Sequence, residues 1–522
     1  MNESSMGATS PDSGYASTKH SKLFDGNARL GLKRRSVRGA VVTMAAQGVR
    51  FCLQTGSVMV LARLLSPSDY GLQGMVLALI GVLSMFKDAG LSGATVQRDT
   101  ITHDQVSTLF WLNGAMGVLL SLSAILMAPL MASFYREPRL CWITIASGSA
   151  FLFWGMGVQH RALLQRNMRF GVLATIDLVS LAGSSAAAII LAFAGWGYWA
   201  LVAAAISEPV LNTIGVWISV PWRPGMPKRG TGVRSLLRFG GTMTANGLVV
   251  YLGYNAEKIL LGRFWGASAL GLYGRAYQLV NLPTSQLHSA IFAVAFPALS
   301  QLQKDPVRFR ASFLKAYSII LSMTVPITVC FTLFADEIIL TVLGPKWSAV
   351  VPIFRFLAPT VLTFGMINPT SLLLIPSGLV GRSLRMALLI SPTVILGILA
   401  GLRFGPRGVA VGYSAALTVL VWPLLVWARA GTGVATRDIV TALRAPLISG
   451  LVALAVGLCA ELMLPRSFAP VIRLAVGTPL VLGSYAVVLL FGLKQIDVFK
   501  DVAAQILPRR VSAALAPDTT PA

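Results

Sequence analysis

The amino-acid sequence predicts an all-α membrane protein of about 14 transmembrane helices, in two parallel six-helix lobes followed by two extra C-terminal helices. Three observations predict it: a composition too apolar for water, a series of apolar segments of spanning length, and a motif that returns two hundred residues later. Hydrophobic residues make up 55% and charged residues 12% of the 522, with a mean hydropathy of +0.72. A soluble chain carries about 25% charged residues, so most of this one is expected in lipid.

About 20 apolar residues are needed to cross ~30 Å of hydrocarbon. Residues 1–38 are too polar and basic for that, and predict a disordered cytoplasmic arm without the apolar core of a cleaved signal peptide. The first lobe, 39–220, holds segments 39–62, 69–89, 106–132, 140–160, 171–194 and 197–220. Ser66-Pro-Ser-Asp69 separates the first two, and Gly195-Trp-Gly197 predicts a tight outer turn between the last two. A cytoplasmic linker, 221–238, opens with Pro221-Trp-Arg-Pro224. The second lobe, 239–430, holds 239–262, 271–299, 312–334, 350–376, 383–402 and 407–428. Segments 440–461 and 470–492 are the extra pair within 431–492, and 493–522 reads as a cytoplasmic tail.

The repeat pairs Leu61, Arg63, Ser68, Gly71, Leu72 and Gly74 with Leu261, Arg263, Ser268, Gly271, Leu272 and Gly274, six identities in fourteen positions without a gap. An even number of segments separates the copies, so both run in the same direction. Duplicated helical halves in lipid are a recurring architecture of secondary transporters, with the substrate path between the halves.

The net charge of +24 does not predict a nucleic-acid partner, because the basic residues sit in short loops between apolar runs. With the N-terminus inside, inner segments hold thirty Lys and Arg and outer loops nine. Positive residues collect on the cytoplasmic side, so both termini are expected there, with membrane lipid around the spans.

Ionisable groups inside spans cost ~2.5–3.5 kcal/mol on insertion scales and tend to face a cavity or a partner. The basic ones are Arg50, Lys258, Arg275 and Arg355, joined by His288 when protonated; the acidic ones are Asp88, Asp177, Glu208 and Glu257. Arg50 falls near mid-membrane, too deep to snorkel, and is expected to face a cavity holding an anionic head group. Lys258, Arg275 and Arg355 fall in the outer third of their spans, where two readings stand: snorkelling to the interface, or lining that same cationic cavity. Asp177 and Glu208 are candidates for a coupling ion or for ion pairing, as are Glu257 and Asp88. At the repeat positions equivalent to Lys258, Arg275 and Arg50 stand Val58, Met75 and Val250, as expected if function rather than scaffold requires the charges.

No Walker loop or HExxH zinc motif appears, so no catalytic residue is assigned. Cys52, Cys141, Cys330 and Cys459 are isolated, with no metal-ligand spacing. The GxxxG at Gly397–Gly401 is a candidate for close helix approach.

The stretch Leu61-Ala-Arg-Leu-Leu-Ser-Pro-Ser-Asp-Tyr-Gly71, with Lys87-Asp-Ala-Gly-Leu-Ser-Gly-Ala-Thr-Val-Gln97 after it, resembles the N-terminal signature of bacterial polysaccharide transporters. These are the Wzx-type flippases of the multidrug/oligosaccharidyl-lipid/polysaccharide exporter superfamily. Gly195-Trp-Gly-Tyr-Trp-Ala-Leu201, Glu257-Lys-Ile-Leu-Leu-Gly262, Leu270-Gly-Leu-Tyr-Gly274 and Gly405-Pro-Arg-Gly-Val-Ala410 extend the resemblance over roughly 39 to 430. Where that family often reads Asp-Lys, this chain has Glu257-Lys258. The resemblance implies a polyprenyl-diphosphate-linked oligosaccharide as substrate, moved from the inner to the outer leaflet of the bacterial cytoplasmic membrane for exopolysaccharide, capsule or lipopolysaccharide synthesis. It implies a central cavity, alternating access coupled to H⁺ or Na⁺ without any other cofactor or metal, and a polysaccharide polymerase and co-polymerase as partners. A lipid II-type flippase fits the same cationic cavity. A cation-coupled multidrug exporter would favour carboxylates and aromatics instead, and a non-transporting assembly subunit would not need the span charges.

Overall fold

The computed structural model describes residues 32–87, 91–97, 101–227, 234–465, 467–493 and 495–496. Residues 1–31 of the expected N-terminal arm, the tail from residue 497 and Asp88 lie outside them; the last residues of that arm, 32–38, are not disordered but form the start of the helix Leu32–Leu64. Among the described residues every regular element is a helix, without a strand.

The first helices are α1 (Leu32–Leu64), α2 (Pro67–Ser84), α3 (Leu91–Gln97), α4 (His103–Tyr135), α5 (Arg139–Gly148), α6 (Ala150–Arg166), α7 (Phe170–Phe193) and α8 (Tyr198–Ser219). There follow α9 (Arg234–Gln301), α10 (Pro306–Leu333), α11 (Ala335–Val342), α12 (Val350–Leu357), α13 (Pro359–Ile367) and α14 (Thr370–Leu374). The last are α15 (Val380–Leu402), α16 (Gly405–Arg429), α17 (Thr436–Met463) and α18 (Pro470–Val487).

Ten helical stretches among the described residues are long and apolar enough to cross a membrane. They are α4, α5 with α6, α7, α8, α10, α12 to α14, α15, α16, α17, and α18 continued to Gly492. The other four expected spans coincide with α1, α2 and the two limbs of α9. Gln47, Arg50 and Gln54 dilute the apolar run of α1, and Asp69 and Gln73 that of α2. The expected span 350–376 is three short helices because Pro359 and Pro369 withhold backbone donors at the joints.

Both copies of the sequence repeat break their helix at the same place, by different chemistry. Ser66 is extended (φ −92°, ψ 159°) and caps α2: its Oγ accepts from the Asp69 amide, while Asp69 Oδ2 accepts from the Ser66 amide at 2.9 Å. In the second copy α9 loses helical geometry at Gly266 (φ 77°, ψ −176°), a conformation essentially confined to glycine.

The chain divides into two compact units, Met1–Leu252 with Gly262–Ser268, and Gly253–Leu261 with Ala269–Ala522. In the first unit, Val106, Leu109 and Phe110 of α4 pack on Leu163, Leu164, Ile176 and Val216, with Trp222 sealing the end. Trp222 belongs to the expected linker, but that segment does not begin as a loose loop. Trp111 Nε1 donates to the Gly225 carbonyl (2.9 Å), and the Gly225 amide donates to Ser107 Oγ (3.0 Å). His160 stacks on Trp217 and reaches the Trp222 carbonyl at 3.2 Å. A strap after α8 therefore closes the first unit, and α9 starts at Arg234 rather than at 239.

In the second unit α17 and α18 build the core with α10, where Val325, Val329, Leu333, Ala453 and Val481 share one buried cluster. A buried ion pair, Arg473 to Glu337 at 2.6 Å, ties α18 to α11. Between α15 and α16 the glycines face each other. An added Cβ at Gly401 would overlap the Gly408 carbonyl, and one at Gly397 would meet the Gly412 carbonyl at 2.5 Å. Two backbones in direct contact give dispersion and Cα–H···O contacts that larger residues would prevent. Gly401→Leu is therefore expected to destabilise the purified protein by at least about 1–3 kcal/mol, seen as a lower midpoint of thermal unfolding in detergent. An unchanged midpoint would contradict the close packing.

Candidate functional site

Arg50 stands on α1 where that helix packs along α7. A cavity of about 220 Å³ opens beside it, bounded by Gln47 and Arg50 of α1, Arg161 and Gln165 of α6, and Phe170, Ala174 and Asp177 of α7. All of these residues belong to the first unit. Their charges are organised around Asp177. Arg161 holds it bidentately, Nη1 to Oδ1 at 2.7 Å and Nη2 to Oδ2 at 2.9 Å, and Asn212 Nδ2 donates to Oδ1 at 2.9 Å. A planar guanidinium against a carboxylate is the strongest common side-chain pairing, and it fixes both groups in space.

Arg50 is held more loosely. Its Nη2 lies 3.9 Å from Glu208 Oε1, and both side chains are about two-fifths exposed (41% and 43%). A pair of that length and exposure contributes little, at most about 1 kcal/mol, so Arg50 is only weakly tied to the carboxylate. Beyond Arg161 and Gln165 a second cavity of about 170 Å³ continues to Asn212 and Thr213. At its rim Lys87 Nζ sits 4.0 Å from the centre of the Trp154 ring, a cation–π contact that holds the ammonium at the opening.

The other expected site residues fall elsewhere. Arg355, on α12, pairs with Asp336 of α11 at 2.7 Å with both side chains about half exposed. Lys258 Nζ donates to Asn255 Oδ1 at 2.6 Å, so its hydrogen bond is to an amide three residues earlier rather than to its neighbour Glu257. Arg275 is half-buried on the second limb of α9 with contacts of its own. His288, farther along that limb, lies against the Phe292 ring.

Glu257 is fully buried, and neither carboxylate oxygen has a hydrogen-bond partner among the described residues. Around it in the second unit are tyrosines: Tyr273 and Tyr413 are close enough to feel its charge, Tyr273 stacks on Tyr277, and the Tyr277 and Tyr413 hydroxyls lie 3.5 Å apart. A buried carboxylate without a hydrogen bond needs either a proton or a nearby cation, and the charge of the adjacent Lys258 acts on this one.

In sum, Arg50 and Asp177 meet in one cavity, with Glu208 at Arg50's side. Arg161, one residue past the expected span 140–160, joins them because α6 runs on to Arg166. Among the described residues no group of three His, Cys, Asp or Glu is placed to hold a metal.

Residues 60–352 match the family described as polysaccharide biosynthesis protein. The chain belongs to that family. It is 26% identical over 394 residues to the lipopolysaccharide biosynthesis protein WzxC of Escherichia coli K12, covering 74% of this chain and 79% of that one. It is 32% identical over 296 residues to the teichuronic acid biosynthesis protein TuaB of Bacillus subtilis 168, covering 56% of this chain and 61% of that one. The fold is that of a solved lipid II flippase, MurJ, in an inward closed conformation (TM-score 0.69, 14% identity, covering 88% of this chain and 99% of that one). An inward-facing multidrug transporter of the MATE family shares it (TM-score 0.59, 14% identity, 75% and 95%). The resemblance to polysaccharide transporters is thus borne out, and the protein is a multi-pass membrane transporter of polysaccharide biosynthesis.

The Arg161–Asp177 geometry has a measurable consequence. Unfolding midpoints of Arg161→Ala, Asp177→Ala and the double variant are expected to be non-additive, with a coupling of about 0.5–3 kcal/mol. Additive losses would contradict the bidentate pair.

Proposed function

We propose that the protein flips polyprenyl-diphosphate-linked oligosaccharide units from the inner to the outer leaflet of the bacterial cytoplasmic membrane. In this reading the chain makes fourteen spans, in two six-helix lobes and a final pair, with both termini in the cytoplasm. One observation carries the substrate assignment: Arg50 and Arg161 face a single cavity, and only Arg161 is tightly neutralised. A diphosphate offers the planar-guanidinium contacts that Arg makes best. Asp177 keeps Arg161 extended towards the cavity, leaving three of its five N–H donors beyond those on the carboxylate. Glu208 holds Arg50 between turnovers and yields it to phosphate.

The cycle also needs release, because a site that binds the head group well does not let it go unaided. We assign the coupling step to Glu257, with Lys258, Tyr273, Tyr277 and Tyr413 as the titratable groups around it. Taking up or losing a proton or a sodium ion there changes the charge buried in the second unit, which biases one conformation against another. Asp177 is less suited to that part, since its oxygens already accept three hydrogen bonds. Lys258, Arg275 and Arg355 act in this reading as secondary cations along the outward path. A lipid II-type substrate presents the same diphosphate, so the cavity alone does not separate it from an oligosaccharide precursor. A cationic drug is a poor match for two guanidinium groups.

The test is polysaccharide export in cells carrying the variants, with membrane insertion checked by immunoblot. A charged hydrogen bond is worth about 1.5–3 kcal/mol, so Arg50→Ala is expected to cut head-group binding about ten- to hundredfold. Export should fail with it, and Arg50→Lys should restore it in part. Glu257→Gln, which imitates the protonated acid, should insert normally yet export little. Normal export from well-inserted Arg50→Ala would overturn the binding assignment, and normal export from Glu257→Gln the coupling assignment.

A further inference from the structure

Above the Arg50 cavity the seam between α1 and α7 stays open as an apolar groove of about 830 Å³. The groove and the cavity lie on one continuous pair of helix faces. On α7, Leu178 borders the cavity, and Ala182, Ala186 and Ile189 line the groove. Those positions follow one another at steps of four, four and three residues, so they share a face. On α1 the same holds from Arg50 in the cavity to Leu53, Ser57 and Val60 in the groove. The floor is open because side chains are missing from it: a Cβ placed on Gly48 or Gly56 would meet nothing within 4 Å.

We propose that this groove holds the first part of the substrate's polyprenyl chain while its diphosphate sits against Arg50. The inference rests on the reading of the substrate as a lipid-linked diphosphate, and it adds where the lipid goes. Two features of the seam argue for that occupant rather than for bulk lipid alone. Its guanidinium-lined end offers donors to an anionic head, and its apolar wall begins within one helical turn of that end, so one molecule satisfies both. From Arg50 to Val60 the wall rises about 15 Å at ~1.5 Å per residue, half of the ~30 Å hydrocarbon thickness. A chain anchored by its head at Arg50 is therefore guided across about one leaflet. Because lipid tails are as apolar as the groove, it gains packing rather than transfer energy. Its effect is to align the chain and so orient the head in the cavity.

The test uses the full-length protein in nanodiscs of phosphatidylethanolamine and phosphatidylglycerol, with radiolabelled undecaprenyl diphosphate as probe. A photoreactive benzoylphenylalanine replaces Ile189 in the groove or, for comparison, Leu126, which is exposed on α4. Capture at 189 is expected to exceed capture at 126 at least fivefold. In Gly56→Leu, whose Cβ would meet nothing within 4 Å and whose branch adds bulk to the groove, capture should fall at least fivefold. Direct binding of the probe is measured in parallel for the unmodified protein and Arg50→Ala. Equal capture at the two positions, or phospholipid at 189 that the probe does not displace, overturns the groove assignment. If the probe still binds and needs Arg50, the head-group reading survives that failure. If the unmodified protein binds no probe, the substrate reading falls and the groove assignment with it.

Discussion

A charge inside hydrocarbon must be accompanied, and in the first unit Asp177 is the group that meets this condition. It neutralises Arg161 at two oxygens and takes a third hydrogen bond from Asn212, so three helices, α6, α7 and α8, are joined through one carboxylate. That junction keeps a polar cavity open between these helices, and Arg50, which also feels the charge of Asp177, makes a long, exposed contact to Glu208. In the proposed reading the tight pair fixes the geometry of the site and the loose one exchanges its carboxylate for the anion.

The second unit handles its charges differently. Arg473 is buried on Glu337 and Arg355 is paired at the surface with Asp336, while Glu257 is buried without a hydrogen-bond partner among the described residues. The two units therefore carry different chemistry, a guanidinium cavity in one and, in the other, a buried acid beside Lys258 and tyrosines. In the proposed cycle the first binds substrate and the second takes the coupling ion.

Much of this was legible in the sequence. Composition and segment length gave the helical membrane class, and the residues around Leu61–Gly71 gave the family. The capping box was readable from Ser66-Pro-Ser-Asp69, and the break in the second copy from the glycine standing where that serine does. Arg161 was missed because the apolar run ends at 160 while the helix continues. Its partner could have been found by counting, since Arg161 and Asp177 lie eight residues either side of Arg169, at the turn between two antiparallel helices, and so come level. Asn255 stands three residues before Lys258 on the same helix, a spacing that predicts the contact seen. Which carboxylates are paired and which are bare was not legible, because that depends on how helices far apart in the chain pack.

The most direct test of the account is leaflet exchange in vesicles reconstituted with the purified protein and a fluorescent undecaprenyl-diphosphate oligosaccharide. A membrane-impermeant reductant added outside bleaches only outer-leaflet label unless the lipid crosses. The account predicts that the protected fraction is lost on adding the protein and retained with Arg50→Ala. A protected fraction that persists with the unmodified, correctly folded protein under an imposed ion gradient of either H⁺ or Na⁺ would contradict it.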